Sequence, residues 1–114
     1  MKLLIPNKKL NFNYFVEDKY EAGISLKGAE VKSLAKSNGN IDEAFCLIRK
    51  DELFILNMYI PPYAQDSKID KLDTYRKRKL LMHKHEIKKI EYAMNKQKYT
   101  LIPSKVYIND NKIK

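Results

Sequence analysis

Apolar and polar residues alternate from Tyr20 to Lys27, with Tyr20, Ala22, Ile24 and Leu26 on one side and Glu21, Gly23, Ser25 and Lys27 on the other. Followed back to Phe12, this period of two predicts a half-buried strand with Glu21 facing outward. Gly28 ends it. From Ala29 to Ser37 the period becomes helical, with Val31, Leu34 and Ala35 on one face, and the turn Asn38-Gly39-Asn40 closes a short helix. Ala44, Cys46 and Ile48 then alternate with Phe45, Leu47 and Arg49. A polar corner at Lys50, Asp51 and Glu52 separates them from the apolar run Leu53 to Ile60, so the two runs predict a β-hairpin. The second run is apolar at both parities apart from Asn57, as expected of an inner strand packed under a helix.

Pro61 and Pro62 stop that strand, and Tyr63 to Tyr75 carries no sustained period, which predicts a loop. Asp73 and Thr74 are candidate N-caps for a helix from about Tyr75 to Asn95. Projected at 100° per residue, its core stripe holds Leu80, His83, Ile87, Ile90 and Met94, while Leu81 falls well over 100° from the stripe's centre. That position makes Leu81 either a peripheral leucine or a partner contact. Tyr99 to Ile108 reads as a further strand with Pro103 at an edge or bulge. Asn109-Asp110-Asn111 reads as a hairpin turn, and Lys112 to Lys114 as the first residues of a returning strand. The whole chain, residues 1–114, is expected to form one domain.

Charge changes this picture. Residues 1–75 carry 11 basic and 11 acidic side chains, and residues 76–114 carry 12 basic and 3 acidic, so the net charge of +9 lies entirely in the last third. The stretch Arg76 to Ile90, RKRKLLMHKHEIKKI, holds seven Lys or Arg against the single acid Glu86. So segregated a field attracts polyanions. Eight tyrosines and four phenylalanines on a strand-rich basic body point to a nucleic-acid binder of the small-barrel kind.

The chemistry of an enzyme is not visible. The three glycines form no phosphate-cradling loop, and the lone Cys46 sits in a strand pattern far in sequence from either histidine. His83 and His85, two apart on the expected helix, would point about 200° apart and could not share a metal ion, so neither a metal nor a cofactor is expected. No signal-peptide core or membrane-length apolar run is present, and one unpaired cysteine fits a reducing compartment. A soluble, cytoplasmic, monomeric protein is the expectation.

Several of these stretches occur in one order at one spacing: Asn7-Lys8-Lys9, Tyr14-Phe15-Val16-Glu17, Tyr20-Glu21-Ala22-Gly23-Ile24, Gly28-Ala29-Glu30-Val31-Lys32-Ser33-Leu34, Asn57 to Tyr63, Arg78-Lys79-Leu80-Leu81-Met82-His83 and Tyr99 to Tyr107. Together they resemble the SsrA-binding protein (small protein B) family over nearly the whole chain from Asn7 onward. The resemblance implies a mainly β fold, an oligonucleotide-binding (OB-like) antiparallel β-barrel with two to three accessory α-helices. It also implies binding to the tRNA-like domain of transfer-messenger RNA and delivery to stalled ribosomes in trans-translation, with elongation factor Tu joining indirectly through the aminoacylated RNA.

The family's RNA-contacting asparagine, glutamate and leucine fall on Asn7, Glu21 and Leu81. Lys8, Lys9 and the cluster Arg76, Lys77, Arg78 and Lys79, followed by Lys84, His85 and Lys88, would surround them with charge for the phosphates. Asn11, Phe12 and Ala35 stand where family members usually carry a basic residue, a histidine and an arginine, which implies weaker peripheral contacts. The family also continues past the equivalent of Lys114 with another strand and a basic tail, so the barrel is expected to be truncated at its C-terminal end and tagging to be impaired. The competing expectation is a general structured-RNA or ribosome-associated barrel with no rescue role.

Overall fold

The computed structural model describes residues 2–10, 19–61, 74–97, 100–109 and 112–114. Along them run β1 (Lys2–Pro6), β2 (Gly23–Ile24), α1 (Gly28–Ala35), β3 (Phe45–Arg49), β4 (Glu52–Leu56), β5 (Arg78–Leu81), α2 (Lys84–Gln97), β6 (Lys105–Asn109) and β7 (Lys112–Ile113). The strands make two antiparallel sheets, one in the order β1-β6-β7 and the other in the order β2-β5-β4-β3.

The predicted β3–β4 hairpin is present. Arg49 pairs with Glu52, leaving Lys50 and Asp51 as a two-residue turn. Both have positive φ, 51° and 63°, the left-handed pair whose twist matches that of the flanking strands. β4 lies inside its sheet, burying Leu53 and Ile55 and half-burying the other parity, as its continuous apolar run requires. These residues join Leu4, Ile5, Leu34, Met58, Leu80, Ile87 and Val106 in one core between the sheets and under α2.

The class is mainly antiparallel β with two helices among the described residues, but the expected barrel is not closed by a continuous ladder. At one seam, Cys46 on β3 pairs with Leu101 and its N–H donates to the Leu101 carbonyl at 2.9 Å. At the other, β2 lies beside β7 with no ladder between them. Each is two residues long and already pairs along one edge with β5 or β6, so side chains close this seam instead.

Three expectations are corrected. Residues 78–81 form a strand, and the helix begins only at Lys84, where the His83 carbonyl accepts the Glu86 and Ile87 N–H groups at 3.0 and 3.1 Å. Thr74 therefore lies ten residues before that helix rather than at its N-cap; its carbonyl accepts from the Ile60 N–H and from Arg78, and Asp73 lies outside the described residues. On α1 the buried face is Glu30, Ser33 and Leu34, with Val31 and Ala35 exposed. Of the expected strand from Phe12, residues 11–18 lie outside the described residues, and only Gly23–Ile24 of the remainder is laddered. Of the expected loop from Tyr63 to Tyr75 only Thr74 and Tyr75 are described, and the centre of the turn at 110–111 lies outside the described residues, although Asn109 and Lys112 do pair as the hairpin requires.

The face of α1 turns inward at Glu30 because its carboxylate is a hub. Oε1 accepts the Lys27 N–H at 2.8 Å and Arg76 Nη2 at 2.6 Å, and Oε2 accepts Arg78 Nε at 2.7 Å and Arg76 Nε at 3.2 Å. Arg78 is fully buried, its guanidinium also donating to the carbonyls of Met58 (2.7 Å), Thr74 and Arg76 (both 3.2 Å). A buried cation is tolerated because a paired carboxylate and backbone acceptors replace its water.

Removing Glu30 leaves that guanidinium uncompensated, so Glu30→Ala should cost about 3–5 kcal/mol in urea denaturation, against a smaller loss for Glu30→Gln. Burial pushes the Glu30 carboxyl up, but the hydrogen bonds from Arg76, the Lys27 N–H and Arg78 hold it below the ordinary value of 4.5. A group depressed in the folded state stabilises fully above its unfolded pKa and loses that contribution as pH falls through the folded one. Stability should accordingly fall from about pH 4.5 downward, and Glu30→Gln should flatten that part of the profile.

Candidate nucleic-acid interface

The strand period on β5 decides what faces outward. Arg78 and Leu80 are buried, and Lys79 and Leu81 are exposed. Leu80 pairs with Leu53 and Ile24 inside the sheet, whereas Leu81, 53% exposed, pairs with Gly23. A Cβ on Gly23 would lie 3.3 Å from the Leu81 Cβ, tighter than ordinary contact, so glycine leaves the leucine uncovered and unstrained. Leu81 thus stands off the core for a reason different from the helical projection: period two, with no side chain opposite.

Glu21 lies two residues before Gly23 and is exposed, but its carboxylate is engaged. The Tyr107 hydroxyl donates to Oε2, and Lys114 Nζ stands 2.9 Å from Oε1. All three residues line one cavity of about 580 Å³, together with core side chains such as Ile24, Leu80 and Ile90. Asn7 is tied further along the same strand. Its Nδ2 donates to the Pro103 carbonyl at 2.9 Å, its N–H donates to the Ser104 carbonyl at 3.0 Å, and its Oδ1 accepts the Lys9 N–H at 3.0 Å. Three to four residues of extended chain separate these anchors from Tyr107, roughly 10–13 Å. β6 and the residues leading into it therefore connect the Asn7 corner to the Glu21 corner.

The expected cations divide by environment. Arg78, expected to meet phosphate, is corrected: its guanidinium is spent inside the core, because an inward position on β5 faces Glu30. Arg76 is half-buried and forked onto the same carboxylate. Lys77 lies over the Phe54 ring, 4.4 Å from its centroid, and Lys79 is 3.7 Å from Glu52, both exposed. Lys8 is exposed, and Lys9 pairs with Glu43, whose hydrogen bond and charge raise its pKa above the ordinary lysine value. Lys84, His85 and Lys88 are exposed on the first turns of α2, beginning three residues after Leu81.

Leu81 thus lies against Gly23, two residues after Glu21 in sequence, and shares the outward parity of β5 with Lys79, while Asn7, Lys8 and Lys9 stand at a second corner and Lys84, His85 and Lys88 on the following helix. Tyr107 and Lys114 are absent from the contacts the sequence predicts. Their only signal is a tyrosine in an apolar alternation and a lysine in an incomplete strand, and nothing local links either to Glu21. His83 and His85 do not point apart as expected. His83 precedes the helix, and the rings stack at 5.5 Å with 13° between planes. Among the described residues no three His, Cys, Asp or Glu side chains gather to hold a metal ion, and no helix is long and apolar enough to cross a membrane. Burial pushes the Cys46 thiol up to about 12, keeping it protonated as a core side chain.

A family model described as SmpB protein matches residues 4–114. The chain belongs to the SmpB protein family. Among its relatives, the SsrA-binding protein of Mycoplasmoides gallisepticum is 50% identical over 115 residues, covering all of this chain and 79% of that protein. The SsrA-binding protein of Malacoplasma penetrans is 48% identical over 114 residues, covering all of this chain and 77% of that one. A chain in the solved structure "tmRNA-SmpB: a journey to the center of the bacterial ribosome" superposes with a TM-score of 0.75 at 37% identity, covering 95% of this chain and 78% of that chain.

The parity of β5 is open to a direct check. Leu80→Ala should cost about 2–5 kcal/mol in unfolding free energy. Leu81→Ala should stay within about 0.5 kcal/mol of the parent. Equal losses would place Leu81 in the core.

Proposed function

We propose that this protein is a non-enzymatic RNA-binding factor that recognises the tRNA-like domain of a transfer-messenger RNA and helps deliver it to stalled ribosomes. The observation that carries this reading is the similarity across residues 4–114 to a family whose members include SsrA-binding proteins. The geometry supports it. Leu81 is an uncovered aliphatic surface paired with Gly23, and Glu21, two residues before that glycine, is an exposed carboxylate; the first suits packing on an unstacked base or sugar and the second accepting hydrogen bonds from 2′-hydroxyls or base edges. Asn7 offers an amide at the second corner, where RNA would have to share or exchange its present partners. The lysines around these corners supply phosphate contacts, which position the RNA without reading its sequence.

Six of the candidate lysines are exposed: Lys8, Lys9, Lys77, Lys79, Lys84 and Lys88. If each neutralises one phosphate, log affinity should fall against log salt with a slope of about −4 to −5. A near-flat response in a fluorescence-anisotropy titration would contradict the electrostatic part. The competing reading is general binding to structured RNA. Competition between a transcript of the tRNA-like domain and an unrelated stem-loop RNA of equal length separates the two, since equal affinity favours the general binder. Leu81→Asp should weaken binding of the tRNA-like transcript by at least about tenfold while leaving the circular dichroism spectrum unchanged. Undiminished affinity would remove Leu81 from the interface.

A further inference from the structure

An acid among phosphate-binding lysines needs an explanation, because an unscreened carboxylate repels the phosphates around it. The surroundings of Glu21 supply one. Among the described residues each of its oxygens has one donor, the Tyr107 hydroxyl on Oε2 and Lys114 Nζ on Oε1 at 2.9 Å. The two donors are themselves locked together, since the Tyr107 N–H donates to the Lys114 carbonyl and the Lys114 N–H to the Tyr107 carbonyl, both at 2.9 Å. They form a hydrogen-bonded cross-strand pair on the β1-β6-β7 sheet and reach across the seam that no ladder closes.

We infer that Tyr107 and Lys114 are positioning residues for RNA recognition, holding the Glu21 carboxylate at a fixed place and neutralising its charge so that its free lone pairs accept from donor groups of the RNA. The inference rests on the reading of Glu21 as an RNA contact. Exposure supports the direction. Tyr107 is 9% exposed and the Lys114 side chain 27%, but that of Glu21 is 49%, so the donors stand behind and the acceptor faces solvent. A carboxylate accepts at about four lone-pair sites and two are occupied, which leaves capacity for a ribose 2′-hydroxyl, a base amino group or an imino N–H. Fixing the side chain before binding removes the ordering cost that a free glutamate meets on contact. With Lys114 paired to it, the site adds no net negative charge to the field that attracts the phosphates.

A clasp serving only to close the seam would move stability and leave RNA affinity alone. The test is a double-mutant cycle of Tyr107→Phe and Glu21→Ala, read as dissociation constants for the tRNA-like transcript on protein shown to be folded. Tyr107→Phe keeps the buried ring and removes the donor. It should weaken binding about three- to tenfold, the scale of one side chain left to be ordered, with the salt slope unchanged because no charge is lost. In the Glu21→Ala background the same substitution should have no further effect, because there is no carboxylate to hold. Lys114→Met should likewise weaken the parent and not the Glu21→Ala variant, whereas a direct phosphate contact by Lys114 would persist in both and lower the slope by about 0.9. Losses that add, or no loss in the parent, overturn the inference while the Glu21 contact stands. If Glu21→Ala itself leaves affinity unchanged, the reading of Glu21 fails and takes the positioning role with it.

Discussion

The buried pair of Glu30 and Arg78 is the contact on which the rest of the molecule depends. It joins the first turn of α1 to the first residue of β5, and through Met58 and Thr74 it gathers the backbone on either side of residues 62–73. Its second effect is on parity. A strand of four residues has little periodicity with which to choose a face, and a slip of one would exchange its inner and outer side chains. Arg78 cannot be exchanged outward without stranding Glu30, so Leu80 is held in the core and Lys79 and Leu81 are held out. A structural ion pair thereby decides which leucine of a Leu-Leu dipeptide can meet a partner.

That pair also marks where local sequence stops being informative. The β3–β4 hairpin was legible because two alternating runs flank a polar corner, and the body of α2 because Ile87 and Ile90 recur at helical spacing. Arg76 to Leu81 misleads because charges followed by two leucines fit either period over so short a span. Leu81 emerges from a helical projection as an outlier and from the strand as an outward residue, so the exposure was foreseeable while its cause was not. Glu30 and Arg78 are 48 positions apart, Glu21 and Tyr107 86, and Glu21 and Lys114 93. No pattern of polar and apolar positions records a pairing across such distances. The predicted outward turn of Glu21 was correct as exposure, but its partners required the tertiary fold.

Counting charge along the chain overstates what the surface offers. Two of the four cations at 76–79 turn toward one carboxylate, so the densest basic run contributes half its charge to holding the fold. The exposed candidate lysines come instead from three places: the residues just after β1, the outer side of β5 with the residue before it, and the start of α2. A field spread this way acts over several phosphates rather than one, which suits a folded RNA whose backbone passes several corners of the protein.

Such a field is indifferent to sequence and nearly so to shape, since any polyanion satisfies lysines. Discrimination has to come from groups that gain little from a generic phosphate, and on the proposed reading Leu81 and Glu21 are of that kind. Leucine gains only where a base or sugar is exposed, and a carboxylate gains only where a donor meets it and loses wherever a phosphate does. If Glu21 is the contact proposed above, placing an acid inside a basic surface penalises wrong RNAs as well as favouring the right one. The penalty is useful only if the acid keeps its place and does not weaken the general field, which is the physical case for coupling Glu21 to a hydroxyl and an ammonium from the opposite sheet.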